Sequence, residues 1–145
     1  MKVTVVICSH NRSSLLLVKT LKSVNNVIPP DHNIQISIFV VANACHDDTL
    51  SQLCKYQTKQ VTNHLIPVSF SEECKPGKSY ALNKALSLIY DGWICFINDD
   101  HRLDERYFQA IIGAIDNPPK TTMFCGKVIP DWNGKEPTWA HEQGK

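Results

Sequence analysis

The sequence predicts an α/β domain: a mostly parallel sheet with helices on both faces. Two observations carry this expectation. Short runs rich in β-branched and aromatic residues alternate with longer runs whose apolar residues recur at helical spacing, the pattern of βαβ units. Clusters of Ser, Asn, Asp and Arg follow the apolar runs, where strands would end, and open α/β sheets place their ligands at the carboxyl ends of strands. A chain of 145 residues is long enough for one domain with its own core.

The elements follow in order. Val3 to Cys8 predicts a strand. Ser13 to Asn25 predicts a helix, since Leu17, Leu21 and Val24 recur at helical spacing, as do Leu15 and Val18. Pro29-Pro30-Asp31 ends it. Ile36 to Ala42 predicts a second strand, and Asp47-Asp48-Thr49 starts a helix over Leu50 to Lys59. His64 to Phe70 is a weaker strand, and Glu72 to Gly77 a loop. Ser79 to Tyr90 predicts a helix with Ala81, Ala85, Leu88 and Ile89 on one face. Trp93 to Ile97 is a fourth strand. Glu105 to Ile115 is a helix ended by Asn117-Pro118-Pro119, and Thr122 to Ile129 predicts a fifth strand. The domain is expected over 1–130, with 131–145 a polar tail holding Trp132 and Trp139 that needs something to pack against.

Composition excludes several classes. The chain is 43% hydrophobic and 20% charged, ordinary for a globular protein. A net charge of +1 gives no broad surface for nucleic acid, so no nucleic-acid partner is expected. No apolar run reaches membrane-spanning length. His10, Asn11 and Arg12 interrupt the opening apolar run too early for a signal peptide. The six cysteines form no CxxC pair and three lie in or beside strand-like runs, so free thiols in a reducing cytoplasm are expected.

Four segments are expected to converge: Ser9 to Arg12, Asn43 to Asp48, Lys75 to Asn83 and Asn98 to His101. Asp99 and Asp100 at a strand end suit a divalent cation with oxygen ligands, which usually brings a phosphate. The same residues also suit a turn and the cap of the following helix. Pro76-Gly77-Lys78-Ser79 mimics the end of a Walker A motif, but the glycine due five residues earlier is Glu72, and Pro76 removes a backbone donor. Lys78 still suits a phosphate as a point charge. Cys45 beside His46 suggests a nucleophile and base, yet neighbours in sequence rarely face each other and no third partner is evident.

These segments resemble the start of family 2 glycosyltransferases. Val-Thr-Val-Val-Ile-Cys-Ser-His-Asn-Arg (3 to 12) looks like that family's first strand and turn. Residues 40 to 49 are similar to its Val-Val-Asp-Asn-x-Ser-x-Asp-x-Thr segment, and residues 77 to 86 to its Gly-x-x-x-Ala-Leu-Asn-x-Gly-Leu helix. Asn98-Asp99-Asp100 falls where the family has its DxD motif, and residues 126 to 132 resemble a segment of some branches.

The resemblance implies a Rossmann-like GT-A fold and metal-dependent, inverting sugar transfer from a nucleotide-sugar, a UDP-, GDP- or dTDP-sugar, to an unknown acceptor. It implies nucleotide-sugar binding by Ser9, Asn11, Arg12, Asn43, Asp47, Lys78, Asn83, Asn98 and Asp99. It implies Mg²⁺ or Mn²⁺ held by Asp100, with Asp99 facing the ribose or the metal. Asn98 replaces one acidic residue of the motif, and Ala42 stands where relatives carry an Asp that contacts uracil. Asp131, Glu136 and Glu142 do not match the family's motif for the general base, which is expected beyond Lys145 with the acceptor-binding half. The short chain is then expected not to transfer sugar alone. Self-association through its C-terminal region and a cytoplasmic location, peripheral to a membrane's inner face at most, are further expectations. A non-catalytic remnant that binds a nucleotide or nucleotide-sugar is the alternative.

Overall fold

A computed structural model describes residues 1–12, 14–29, 34–116 and 123–132. Four strands and four helices alternate along it: β1 (Lys2–Ser9), α1 (Ser14–Asn25), β2 (Gln35–Asn43), α2 (Thr49–Thr62), β3 (Val68–Glu73), α3 (Lys78–Leu88), β4 (Trp93–Asn98) and α4 (Tyr107–Asp116). The strands form one parallel sheet in the order β3-β2-β1-β4. Val5 sits in register between Ile38 and Cys95.

This order explains the layers. From β1 to β3 the chain steps one way; from β3 to β4 it steps back across β1. Right-handed crossovers then put α1 and α2 on one face and α3 on the other. The core matches. Val3, Val5 and Ile7 of β1 pack with Ile38 and Val40, with Leu17, Leu21 and Val24 of α1, Leu53 of α2 and Phe108 of α4. On the opposite face Val6 and Val41 meet Ala81 and Ala85 of α3. Alternation along each strand supplies both layers from one run, and the two alanines let α3 lie close to the sheet. Leu53 is fully buried, so truncating it to Ala costs about 2–5 kcal/mol. Gly92, with a φ of +91°, leads into β4; a Cβ there would lie 2.8 Å from the Lys2 carbonyl oxygen.

The structure corrects two sequence expectations. The third strand begins at Val68, not His64. His64 is left-handed, with a φ of 51°, and Pro67 has no N–H, so its carbonyl opens the ladder by accepting from the Ile38 N–H at 2.8 Å. The expected fifth strand is absent from residues 123–129, its described part. Met123, Val128 and Ile129 are 79%, 70% and 71% exposed, so among the described residues no neighbouring surface rewards an extended ladder there. Residues 123–132 touch the domain where the Phe124 and Trp93 ring centroids lie 6.1 Å apart and where Asp131 pairs with Arg102. Trp139 and the rest of the expected tail, 133–145, lie outside the described residues.

All six cysteines are free thiols. Among the described residues no helix is long and apolar enough to cross a membrane.

Cys95 and Tyr107 meet in the larger core layer. Burial pushes the Cys95 thiol up from its usual 9.0 to about 11. Burial, reinforced by Cys95, pushes the Tyr107 phenol up from 10.0 to about 12. Both acids are held neutral by the fold. Their contribution is therefore complete below the unfolded values and lost as pH rises through the folded ones. We expect the urea midpoint to fall between pH 9 and pH 11, and the fall to be shallower in Cys95→Ala. Equal slopes for the two proteins would refute this linkage.

Candidate functional site

The sheet order creates a switch point between β1 and β4, where successive connections leave in opposite directions. Ligand clefts in open α/β sheets form at that point, outside the carboxyl ends of the strands. A cleft of about 320 Å³ lies there, lined by Cys8, Ser9, His10, Arg12, Asn43, Lys78, Asn98, Asp99 and Asp100.

Asp99 forms its floor. Its carboxylate is buried and accepts a hydrogen bond from Ser9 Oγ at 2.8 Å. Arg12 Nε stands 3.8 Å from the same oxygen. The Asp99 carbonyl accepts from Thr20 Oγ1 of α1 at 2.8 Å. Asp99 and Asp100 occupy the centre of a turn closed by the His101 N–H donating to the Asn98 carbonyl at 3.2 Å. Asp100 is exposed on the cleft, and no hydrogen bond or ion pair engages its carboxylate among the described residues.

Asn43, at the end of β2, spends its whole amide on the end of β3 and the β3–α3 connection. Its Oδ1 accepts from the Gly77 N–H at 2.8 Å, and its Nδ2 donates to the carbonyls of Lys75 at 2.7 Å and Glu73 at 3.2 Å. Gly77 has a φ of +131°, and a Cβ there would press on the Tyr80 ring at 3.2 Å. The connection delivers Lys78, whose ammonium donates to Asn98 Oδ1 at 2.5 Å. Asn98 is held by His101 in turn, its N–H 3.4 Å from Nδ1 and its Nδ2 3.2 Å from Nε2.

The structure thus brings Ser9, Arg12, Asn43, Lys78, Asn98, Asp99 and Asp100 together. It uses three other expected residues elsewhere. Asn11, left-handed with a φ of 46°, accepts from the His46 N–H at 2.7 Å and so joins the loops after β1 and β2. Asp47 accepts from the Thr49 N–H at 3.1 Å and hydroxyl at 2.5 Å, in the turn that leads into α2. Asn83 is exposed in the second turn of α3 and does not line the cleft.

Two lining residues were missed by sequence reasoning. His10 sets its Nδ1 2.6 Å from the Asn43 carbonyl. Cys8 is paired in register with Asn98; burial raises its thiol pKa, with Lys78 pulling the other way, so it faces the cleft as a neutral thiol. The strand alternation that puts Val6 on the α3 side puts Cys8 there too, which is the signal that was available. Cys45 hydrogen-bonds the Ser9 carbonyl at 3.4 Å and makes no pair with His46.

The family profile described as Glycosyl transferase family 2 matches residues 4–144. The chain belongs to glycosyl transferase family 2. The fold of this family-2 chain is similar to that of solved S. aureus TarS, with a TM-score of 0.62 and 22% identity over 80% of this chain and 20% of that one. It is similar also to TarS 1–349 in complex with UDP, at 0.65 and 21% over 80% of this chain and 32% of that one. Against TarS 1–349 in complex with UDP-GlcNAc the values are 0.62 and 22%, over 80% and 31%. The likeness at this identity is one of fold, and the chain spans a third or less of those proteins. No curated protein matches the sequence.

Asn43 is the test of how this family-2 cleft is held. Asn43→Ala strands the buried end of β2 and frees the Gly77 N–H, at a cost of about 1–3 kcal/mol. We expect a lower urea midpoint and faster tryptic cleavage after Lys78. An Asn43→Ala protein with wild-type cleavage kinetics would show that the loop is held by other contacts.

Proposed function

We propose that this domain binds a nucleotide-sugar donor across the carboxyl ends of β1 and β4 for transfer of the sugar to an acceptor. The observation that carries the reading is the division between two adjacent carboxylates. Asp99 is committed inward to Ser9 and Arg12, while Asp100 stands open on the cleft.

The residues fit Mg²⁺ or Mn²⁺ in a particular way. Among the described residues no group of three His, Cys, Asp or Glu side chains surrounds one point. The protein alone therefore does not cage an ion. Mg²⁺ seldom needs a cage: it is usually held by one or two carboxylates with substrate phosphates and water. Asp100 would be the protein ligand. When bound, the ion stabilises negative charge on a departing nucleoside diphosphate.

Ser9 and Arg12 hold Asp99 in place at the ribose side. Asn43 acts through the loop it holds, and Lys78 and Asn98 border the diphosphate. Asn11 and Asp47 shape the loops around the base, and Asn83 lies further along α3. Both cleft carboxylates serve the donor side, so inverting transfer would draw the base for the acceptor hydroxyl from elsewhere. The family and the UDP and UDP-GlcNAc complexes of TarS support a nucleotide-sugar as the ligand class.

Thermal shift in UDP with and without Mn²⁺ tests the metal assignment. Ligand at a hundredfold over Kd stabilises by about 2.7 kcal/mol, which raises Tm by several degrees at about 2–4 °C per kcal/mol for a domain near this size. Asp100→Asn is expected to abolish the increment that Mn²⁺ adds while the apo protein melts as before. An unchanged increment would sink the assignment.

Base preference is expected to be weak. Ala42 is fully buried and offers no side-chain acceptor to a base N–H, and strong rejection of analogues requires a polar group left unpaired by the wrong ligand. Competition among UDP, GDP and dTDP should give ratios below about a hundredfold, or ~2.7 kcal/mol. A larger preference for UDP would mean that another residue reads the base.

A further inference from the structure

We propose that Lys78, set in place by Asn98, is a built-in cation for the donor's diphosphate, so that this domain keeps part of its nucleotide affinity with no metal present. The inference rests on the donor-binding reading above and goes beyond it in assigning a metal-independent share to one side chain.

The charges of the cleft carry the argument. Four lining side chains are charged: Arg12, Lys78, Asp99 and Asp100. Arg12 and Asp99 face each other at 3.8 Å and offset one another. Lys78 meets a neutral amide instead. Asn98 Oδ1 fixes the ammonium at 2.5 Å without cancelling its charge. An aspartate at position 98 would hold the ammonium equally well and neutralise it. An ammonium has three N–H donors; one goes to Asn98 and two remain for phosphate oxygens, as charge-assisted bonds.

The position is built from both sides. Asn43 holds the backbone just before Lys78 through the Gly77 N–H. His101 holds Asn98. The other lysine of the loop is directed elsewhere, since the Lys75 ammonium lies over the Tyr80 ring, 3.9 Å from its centroid. Lys78 is thus the loop's cation at the cleft, which Asp100 also lines.

Calorimetric titration of the 145-residue chain with UDP and with inorganic pyrophosphate, in EDTA and in Mn²⁺, tests this. Pyrophosphate isolates the diphosphate contact from the base. Wild type is expected to bind both ligands in EDTA. Lys78→Gln should weaken that binding at least tenfold, ~1.4 kcal/mol. Asn98→Asp, which pairs Lys78 with a charge, should weaken it similarly in EDTA and widen the ratio of Mn²⁺ to EDTA affinity. Lys78 is exposed, so Lys78→Gln should melt as wild type and decides the matter even if Asn98→Asp folds poorly. Equal EDTA affinities for wild type and Lys78→Gln would overturn the proposal. So would binding of UDP in Mn²⁺ with none in EDTA, an outcome that leaves the donor reading intact. Absence of UDP binding even in Mn²⁺ would overturn both.

Discussion

The buried carboxylate of Asp99 is the constraint on which the cleft depends. An ion taken out of water costs several kcal/mol unless its partners replace the solvent. Ser9 supplies a hydrogen bond at 2.8 Å and Arg12 a cation at 3.8 Å. Both come from the end of β1 and the turn after it, so satisfying Asp99 ties that turn to the end of β4. Thr20 adds a tie from α1 to the Asp99 carbonyl. The result separates two chemically identical neighbours. Asp99 belongs to the protein's own framework, and Asp100, one residue on in the same turn, is left to the cleft.

Asn43 does for the backbone what Asp99 does for the strand ends. Two of its amide's three hydrogen bonds go to the β3–α3 connection and the third to the last residue of β3. A loop held by side-chain-to-backbone bonds needs no apolar cover, so it can stand at a polar cleft and still be ordered. Each such bond contributes only about 1 kcal/mol, but losing a buried partner costs more than the bond is worth. That asymmetry locks the connection and sets where Lys78 emerges.

Much of this fold is legible in the sequence because parallel strands buried on both faces and amphipathic helices leave opposite patterns. Val3 to Ile7 and Ile38 to Val41 can only be strands in a covered sheet, and Leu17, Leu21 and Val24 only a helix packed on it. Strand ends were legible too, since polar residues stop the apolar runs at Ser9, Asn43 and Asn98. The use of each polar group was not. Residue type says that Asn11 and Asn43 can hydrogen-bond, but nothing in their spacing says that a left-handed turn and a loop would claim them; Asp47 was legible only as part of a helix start, not as a partner of Thr49. The expected strand over 122–129 failed for a related reason. Its apolar composition is strand-like, but a strand needs a neighbour, and Val128 and Ile129 find none among the described residues.

That segment also bears on how the described part of the cleft is held. β4 pairs with β1 on one side only among the described residues, and Phe96, pointing to the α3 face beyond the helix's cover, is 51% exposed. The β4 edge, unpaired among the described residues, therefore runs beside the site. Yet every hydrogen bond described for Ser9, Asn43, Lys78, Asn98 and Asp99 stays within residues 9–101. Residues 123–132 reach the domain at Trp93 and Arg102, one before the strand end and one after the turn. Whatever packs against the β4 edge can bias those two contacts without supplying any of the bonds that hold Asp99 or Lys78. Among the described residues, the bonds that shape the cleft thus come from the four-stranded sheet and its crossovers.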